Sequence, residues 1–358
     1  MDDYKQIFAV VPNVTKLVLR NACQFKDSVL VYMMEKATQI THFQVYASNL
    51  VSNEMWKRFF EHYGHKLETL KLEWLDAAFD DEVVETMVKH CSQLRRLKFK
   101  FCRKITTGSL PVLCRLQSLE HLSLQLSQSA ESSQLVPLIS QLGPRLETLS
   151  LENCADADDS VIDEIRTQCG QLSKLRLSEV DCITDAALKS MFETTDTPSC
   201  LPPLTFVDLS SARDVDNNNP SGPEDAPIGL ASESFTALMA HSGSRLECLH
   251  IASCRHISHA AFCDVFDGST TYPMIREINL SFCNAVDTAV IMGIFKCCPQ
   301  LKKLIAFGCF KVEDVVVPSG IALIGVPRAH DAIEQFGDGG IDLGAALSMM
   351  GSAVAVGA

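Results

Sequence analysis

Long hydrophobic runs, aromatic side chains and net positive charge are all scarce in this sequence of 358 residues. The 16 uncharged residues after Asp342 are rich in glycine, and a membrane span needs about 20 predominantly apolar residues. The net charge is −13 and aromatic residues make up 7% of the chain, whereas a dedicated nucleic-acid binder usually carries a broad basic surface. We therefore expect neither a membrane protein nor a dedicated nucleic-acid-binding protein.

Sequence motifs that carry chemistry are also missing. The chain contains no C-x-x-C zinc spacing, no glycine-rich phosphate loop, no G-x-S-x-G nucleophile elbow and no H-E-x-x-H helix. Each of these motifs places reactive or metal-binding groups at a fixed spacing, and nothing comparable replaces them. We expect a protein that is not an enzyme and that uses no cofactor and no metal.

What the sequence does contain is a repeat, Leu-x-x-Leu-x-Leu-x-x-Cys, which is complete at Leu146–Cys154, Leu246–Cys254 and Ile275–Cys283. Most copies lie 25 to 29 residues apart, inside the leucine-rich-repeat range of roughly 20 to 29. The first apolar positions of the eleven copies are Val14, Ile40, Leu67, Leu94, Leu119, Leu146, Leu172, Leu204, Leu246, Ile275 and Leu301.

Each repeat predicts one strand and one helix. The Leu-x-Leu core alternates as a strand does, and a helical pattern follows. Stacked repeats of this kind share one core and form an α/β leucine-rich-repeat horseshoe solenoid of the cysteine-containing type, with a parallel sheet on the concave face and helices on the convex face. Acidic or hydroxyl side chains are expected to cap the helix starts at Asp81, Asp159, Thr184, Ser258 and Asp287.

The 15 cysteines are predicted to be structural thiols in a reducing compartment, because no signal-peptide pattern precedes them and many occupy a fixed repeat position. One group, Cys254, His256, His259 and Cys263, falls within ten residues and contains zinc-binding side chains. Zinc sites usually join ligand pairs from two separate knuckles, and Cys254 already has an inward role in its repeat. We therefore interpret this group as structural.

Side chains that flank the inner leucines of each strand point to the concave face. These 33 positions carry nine basic and four acidic residues, a net charge of +5 in a chain of −13. This segregation predicts an acidic partner for the concave face, either an acidic protein segment or a nucleic-acid backbone, with any DNA contact weak or indirect. The candidate partner-binding residues are Lys16, Arg20, Tyr46, Lys71, Arg96, Lys98, Lys100, Lys174, Arg176 and Lys303.

The repeats are predicted to form one domain over residues 1–336, followed by a flexible Gly/Ala-rich tail at 337–358. An acidic insertion at 213–229 interrupts them, and it is either a tolerated decoration or a partner-docking loop. The apolar segment 318–326 is expected to cap the end. Because repeat material begins almost at once, we expect the chain to be the C-terminal part of a longer protein.

Several stretches resemble one family, among them Asp208–Pro220, Ala240–Glu247, Ser253–His259, Ala306–Phe310 and Gly325–Ala329. They are similar to the leucine-rich-repeat subunit of the fungal global-genome nucleotide excision repair complex, the Rad-seven family of DNA repair proteins. The resemblance runs from about residue 4 to about residue 337 and is most specific in the insertion.

This resemblance implies a nuclear, non-catalytic scaffold that pairs with a Snf2-type ATPase bearing a RING finger. It also implies assembly with elongin C and a cullin in a ubiquitin ligase, through an N-terminal region that is not in this sequence.

Two other interpretations stay open. One is the substrate-receptor repeat domain of an F-box-type ubiquitin ligase, for which an F-box would be expected before the repeats. The other is an enzyme that uses Cys248 and His250 on the concave face, although the sequence spacing suggests no third residue to orient the histidine.

Overall fold

A computed structural model describes residues 2–178, 182–193, 200–210 and 228–326, and within these ranges helices and strands alternate as far as the last two strands, which follow each other directly. The strands are β1 (Lys16–Leu19), β2 (His42–Tyr46), β3 (Thr69–Glu73), β4 (Arg96–Lys100), β5 (His121–Gln125), β6 (Thr148–Glu152), β7 (Lys174–Ser178), β8 (Phe206–Asp208), β9 (Cys248–His250), β10 (Glu277–Asn279), β11 (Lys303–Ile305) and β12 (Ala322–Ile324). The helices are α1 (Asp2–Val10), α2 (Asp27–Lys36), α3 (Asn53–Tyr63), α4 (Asp81–His90), α5 (Leu110–Leu113), α6 (Ser132–Leu142), α7 (Asp159–Gln168), α8 (Asp185–Phe192), α9 (Ser232–Ser242), α10 (His259–Val265) and α11 (Thr288–Cys297).

The strands form one open parallel sheet in which each strand pairs with the next one along the chain. Neighbouring strands lie about 4.8 Å apart, whereas packed helices need about 8 to 10 Å. The stack therefore curves with the sheet on its concave side, which is the predicted leucine-rich-repeat solenoid. Strand β12 lies inside the apolar segment that was expected to cap the end, and it pairs with β11.

Two predicted segments fall largely or wholly outside the described residues. Of the acidic insertion at 213–229, only Ile228 and Gly229 are described, and the tail at 337–358 lies outside altogether. Within the ranges that the structure does describe, no helix is long and apolar enough to cross a lipid bilayer.

The core lies between the sheet and the helices and is built from the alternation of each strand. Leu149 and Leu151 of β6, for example, are at most 1% exposed, as are Leu122 of β5 and Leu175 of β7, which flank Leu149 in register. Equivalent apolar positions of successive repeats thus contact one another along the whole solenoid, and each repeat buries its neighbour's apolar face.

All 15 cysteines are free thiols, and those at the last position of the repeat motif are buried: Cys102, Cys154, Cys254, Cys283 and Cys309. The thiol of Cys283 lies 3.1 Å from the carbonyl oxygen of Ile251, and that of Cys309 lies 3.2 Å from the carbonyl oxygen of Leu280. Burial raises the pKa of Cys283 to about 12, so this thiol stays protonated and can donate. These cysteines fill the turn and satisfy a carbonyl of the preceding repeat.

Thr184, Ser258 and Asp287 cap their helices as predicted, but Asp81 and Asp159 do not. The caps of α4 and α7 are the preceding residues, Asp80 and Asp158. Two acidic residues stand side by side at each of these starts, and sequence alone does not decide which one has the extended backbone of a cap. The prediction was wrong there by one residue.

The second acidic residue of each pair contacts the next repeat instead. Asp81 accepts a hydrogen bond from the backbone N–H of Thr106 at 2.9 Å, and Asp159 accepts one from that of Thr184 at 2.7 Å. Asp27 contacts Ser52 in the same way, at 2.8 Å. A carboxylate in the first turn of one helix therefore satisfies a backbone donor at the start of the next, which ties adjacent repeats together.

We expect Asp81→Asn to lower the free energy of unfolding by roughly 1 to 2 kcal/mol near neutral pH, the range of a lost helix cap. Burial tends to raise the pKa of Asp81, but the hydroxyls of Ser109 and Thr106 and the Thr106 N–H outweigh it and the pKa is lowered from 3.8. The stabilisation is thus present above 3.8 and is lost as pH falls through the lower folded-state pKa.

Urea unfolding of both proteins at about pH 7 and about pH 3 tests this, and the difference between them should shrink at the acidic pH. Glu85→Gln is a control on the same helix, because Glu85 is exposed and has no hydrogen-bond or ion-pair partner among the described residues. An equal loss for both variants, or a difference that does not change with pH, would contradict the inter-repeat role of Asp81.

Candidate functional site

Three rows of side chains cross the concave face because the strands are in register. The first row is Lys16, His42, Thr69, Arg96, His121, Thr148, Lys174, Phe206, Cys248, Glu277 and Lys303. The second row is Val18, Gln44, Lys71, Lys98, Ser123, Ser150, Arg176, Asp208, His250, Asn279 and Ile305. The third row is Tyr46, Glu73, Lys100, Gln125, Glu152 and Ser178. Nine of the ten predicted partner-binding residues lie in these rows, and Arg20 directly follows β1.

The N-terminal half of this face holds a basic cluster, which comprises Lys16, Lys71, Arg96 and Lys98. Lys98 forms a 2.7 Å ion pair with Glu73, whereas Lys16, Lys71 and Arg96 form no ion pair among the described residues. Burial lowers the pKa of Lys71, and the nearby charges of Lys98, Arg96 and Lys16 lower it further. This crowding of like charges, only partly relieved by Glu73, makes the cluster a site that attracts anions.

In the middle of the concave face, carboxylates of the same face neutralise the basic side chains. Arg176 lies 3.3 Å from Glu152 and 3.0 Å from Asp208, and both acidic residues are buried. Lys100 reaches Glu152 at 3.3 Å across the intervening strand β5. Because their charge is matched by buried carboxylates, Lys100 and Arg176 offer less attraction to a partner than the basic cluster does.

A second group of polar residues lies at the C-terminal end of the face. The Sγ atom of Cys248 is 3.2 Å from Nε2 of His250, and the same nitrogen is 3.2 Å from Oε1 of Glu277. Asp208 places Oδ2 3.6 Å from Nδ1 of His250, and Lys303 places Nζ 3.1 Å from Oε1 of Glu277. Burial lowers the pKa of His250, but Asp208 and Cys248 outweigh it and raise the value to about 10.

The sequence spacing suggested no residue that could orient His250, and here the structure corrects it. Asp208 comes 42 residues earlier, on β8, and the parallel register places it directly beside His250. The long insertion between these two strands hides the pairing in the sequence.

The other group of zinc-type residues does not gather into one site. Cys254 is buried and lies 3.4 Å from the carbonyl oxygen of Leu209. His259 pairs with Asp287 at 2.9 Å, and the thiol of Cys263 lies 3.7 and 3.6 Å from the two ring nitrogens of His259.

Sequence reasoning missed an aromatic pair beside Lys100, formed by the exposed Trp74 and the half-buried Phe101. Trp74 follows β3 and Phe101 follows β4, and their ring centroids lie 4.1 Å apart. Both residues have positive φ angles, 61° and 53°, at a repeat position that also has positive φ at Asn21, Ala47, Asn153, Ser253, Phe282 and Gly308. An aromatic residue at that position is the signal that could have found the pair. Exposed aromatic residues beside cations are typical of the centre of a protein interface.

Comparison with known proteins finds related sequences among DNA repair proteins. The chain is 24% identical over 326 residues to the DNA repair protein rhp7 of Schizosaccharomyces pombe, an alignment that covers 90% of this chain and 54% of that protein. It is 24% identical over 344 residues to the DNA repair protein RAD7 of Saccharomyces cerevisiae, covering 93% and 56%. No protein-family model matches the chain.

Among solved structures, the chain superimposes with a TM-score of 0.73 on a chain of the crystal structure of the yeast Rad7 and Elc1 complex. The match covers 92% of this chain and 78% of that one at 21% identity. This likeness shows that the fold is shared. The chain spans about half the length of the two DNA repair proteins that it matches.

Proposed function

We propose that this chain, which is homologous to the Rad7 and rhp7 DNA repair proteins, is the non-enzymatic protein-interaction scaffold of a nucleotide excision repair complex. The observation that carries the proposal is the alignment over nine-tenths of the chain, together with the shared solenoid fold. The basic cluster and the aromatic pair add a surface suited to an acidic partner segment.

The partner that we propose for this surface is a Snf2-type ATPase bearing a RING finger. We further propose that the whole protein acts in the nucleus and joins elongin C and a cullin in a ubiquitin ligase. The yeast Rad7 that shares the fold was crystallised in complex with Elc1, which supports the elongin C part of the proposal. Contact with DNA would be weak or indirect.

An enzymatic role is less well supported, although Cys248, His250 and Asp208 include the residue types of a nucleophilic triad. Such chemistry needs free donors that can stabilise an oxyanion, and the nearby backbone donors are already used. The N–H of Cys248 bonds to Thr205, and that of Glu277 bonds to Glu247. Glu277 also competes with Cys248 for the same nitrogen of His250. The group therefore fits binding better than turnover.

A pull-down of the tagged chain from fungal nuclear extract, with and without nuclease, tests the proposal. We expect recovery of a Snf2-type ATPase that survives nuclease treatment, since the contact is between proteins. Recovery of cullin adaptors and varied substrates without that ATPase would overturn it and favour the F-box-type receptor. Loss of the ATPase after nuclease treatment would show that DNA, and not the concave face, connects the ATPase to this chain.

A further inference from the structure

The parallel register brings three zinc-type side chains together at the C-terminal end of the concave face. Cys248 of β9 and Glu277 of β10 are direct cross-strand partners, and His250 lies two residues after Cys248 on the same face. Their donor atoms all lie within 4.8 Å of one another. All three residues are partly buried.

We propose that Cys248, His250 and Glu277 bind one Zn²⁺ ion on the concave face. Zinc bonds of about 2.0 to 2.3 Å at tetrahedral angles place neighbouring donor atoms roughly 3.3 to 3.7 Å apart. The distances from Nε2 of His250 to Sγ of Cys248 and to Oε1 of Glu277 are both 3.2 Å, so small side-chain movements suffice. A thiolate with an imidazole selects zinc over magnesium or calcium.

The surrounding residues suit such a site. A histidine that binds zinc usually donates its other ring N–H to a carboxylate, which fixes the ring and its tautomer. Asp208 occupies that place, 3.6 Å from Nδ1 of His250. Lys303 is held at 3.1 Å from the Glu277 carboxylate and would support it as an outer hydrogen-bond donor.

Three protein ligands leave one of the four coordination positions of the zinc ion open, and water or a side chain of a bound partner would fill that position. The ion would also link β9 to β10, next to the strand that supplies Asp208. The site is independent of the proposed repair function, because it depends only on residues of repeats eight to eleven.

The test is a zinc titration of the purified, metal-free chain in competition with a chromophoric chelator, with Co²⁺ as a spectroscopic probe. We expect one tightly bound ion per chain and, with Co²⁺, a thiolate charge-transfer band and intense tetrahedral bands. Cys248→Ser should abolish the charge-transfer band and tight binding. Asp208→Asn should weaken zinc binding by about 10- to 100-fold, as loss of an outer-shell partner does.

Cys263→Ser is the matched control, since Cys263 belongs to the other cysteine and histidine group, and it should leave affinity and spectrum unchanged. Circular dichroism of each variant checks that the fold is retained. Glu277→Gln, which keeps the size of the side chain, serves if Cys248→Ser does not fold. A metal-free chain that binds no zinc, or binding and spectrum that persist in both Cys248→Ser and Glu277→Gln, would overturn the site and leave an ion-pair network only.

Discussion

Replacement of both Lys71 and Arg96 by glutamate is expected to weaken binding of the Snf2-type partner by about a hundredfold, or roughly 2.7 kcal/mol. Each substitution turns an attractive charge into a repulsive one at the basic cluster, where Lys16, Lys71 and Arg96 form no ion pair with a described carboxylate. Like charges opposed across an interface cost several kcal/mol, so two reversals account for an effect of this size.

The same substitutions should leave the melting temperature nearly unchanged. Lys71 is crowded by Lys98 and Arg96, so its replacement removes that repulsion, and Lys98 still balances Glu73. Lys98 is a less suitable target, because its ammonium group forms a 2.7 Å pair with the nearly buried Glu73. A glutamate at position 98 would lie beside the carboxylate of Glu73 and destabilise the fold. A loss of binding could then not be distinguished from a loss of stability.

Binding of the recovered ATPase to the original and variant chains, measured by titration at two salt concentrations, checks the prediction. The wild-type chain should lose affinity for the ATPase at high salt, whereas the affinity of the variant should depend less on salt. Arg58→Glu with Lys89→Glu is the matched control, because it changes charge by the same amount on exposed residues of α3 and α4. If the ATPase bound the Lys71→Glu, Arg96→Glu variant as tightly as the wild-type chain, the basic cluster would be excluded as the docking site.

The positions of the concave side chains could be predicted because they depend on local rules. A strand alternates with a period of two, and the repeat fixes where each strand lies, so Lys71 or Arg96 can be assigned to the outer face from its distance to the nearest core leucine. The same rules identified the buried cysteines of the turns. Nothing about the partner of a side chain is needed for such assignments.

Which charges of that face are paired with each other could not be predicted, because the pairing depends on contacts between distant repeats. Lys100 and Glu152 are 52 residues apart and meet across a strand, and Asp208 reaches His250 over the long insertion. Net charge counted along the sequence therefore treated Lys100 and Arg176 as equal to Lys71. The off-by-one helix starts at Asp81 and Asp159 have a related cause, since the second carboxylate belongs to the contact with the next repeat.

Leu149→Ala is expected to destabilise the protein by about 2 to 5 kcal/mol, the largest effect on stability that we predict. Leu149 is completely buried in β6, near the middle of the solenoid, and its register partners Leu122 and Leu175 are also buried. Removal of its side chain leaves a cavity between repeats that the paired backbone prevents from closing. Stability in a repeat protein depends on such interfaces, so the loss affects both neighbours of the repeat.

Urea unfolding of the original chain and the variant measures the change, with Leu50→Ala as the matched control. Leu50 undergoes the same chemical change but is 51% exposed, so its loss should cost less than about 0.5 kcal/mol. A central interface that is weakened by several kcal/mol can also separate the unfolding of the two halves, which would appear as a broader transition with a lower slope. A cost for Leu149→Ala below about 1 kcal/mol, close to that of Leu50→Ala, would mean that Leu149 does not face the core. In that case the inward and outward assignment of β6, and with it the concave position of Ser150 and Glu152, would be wrong.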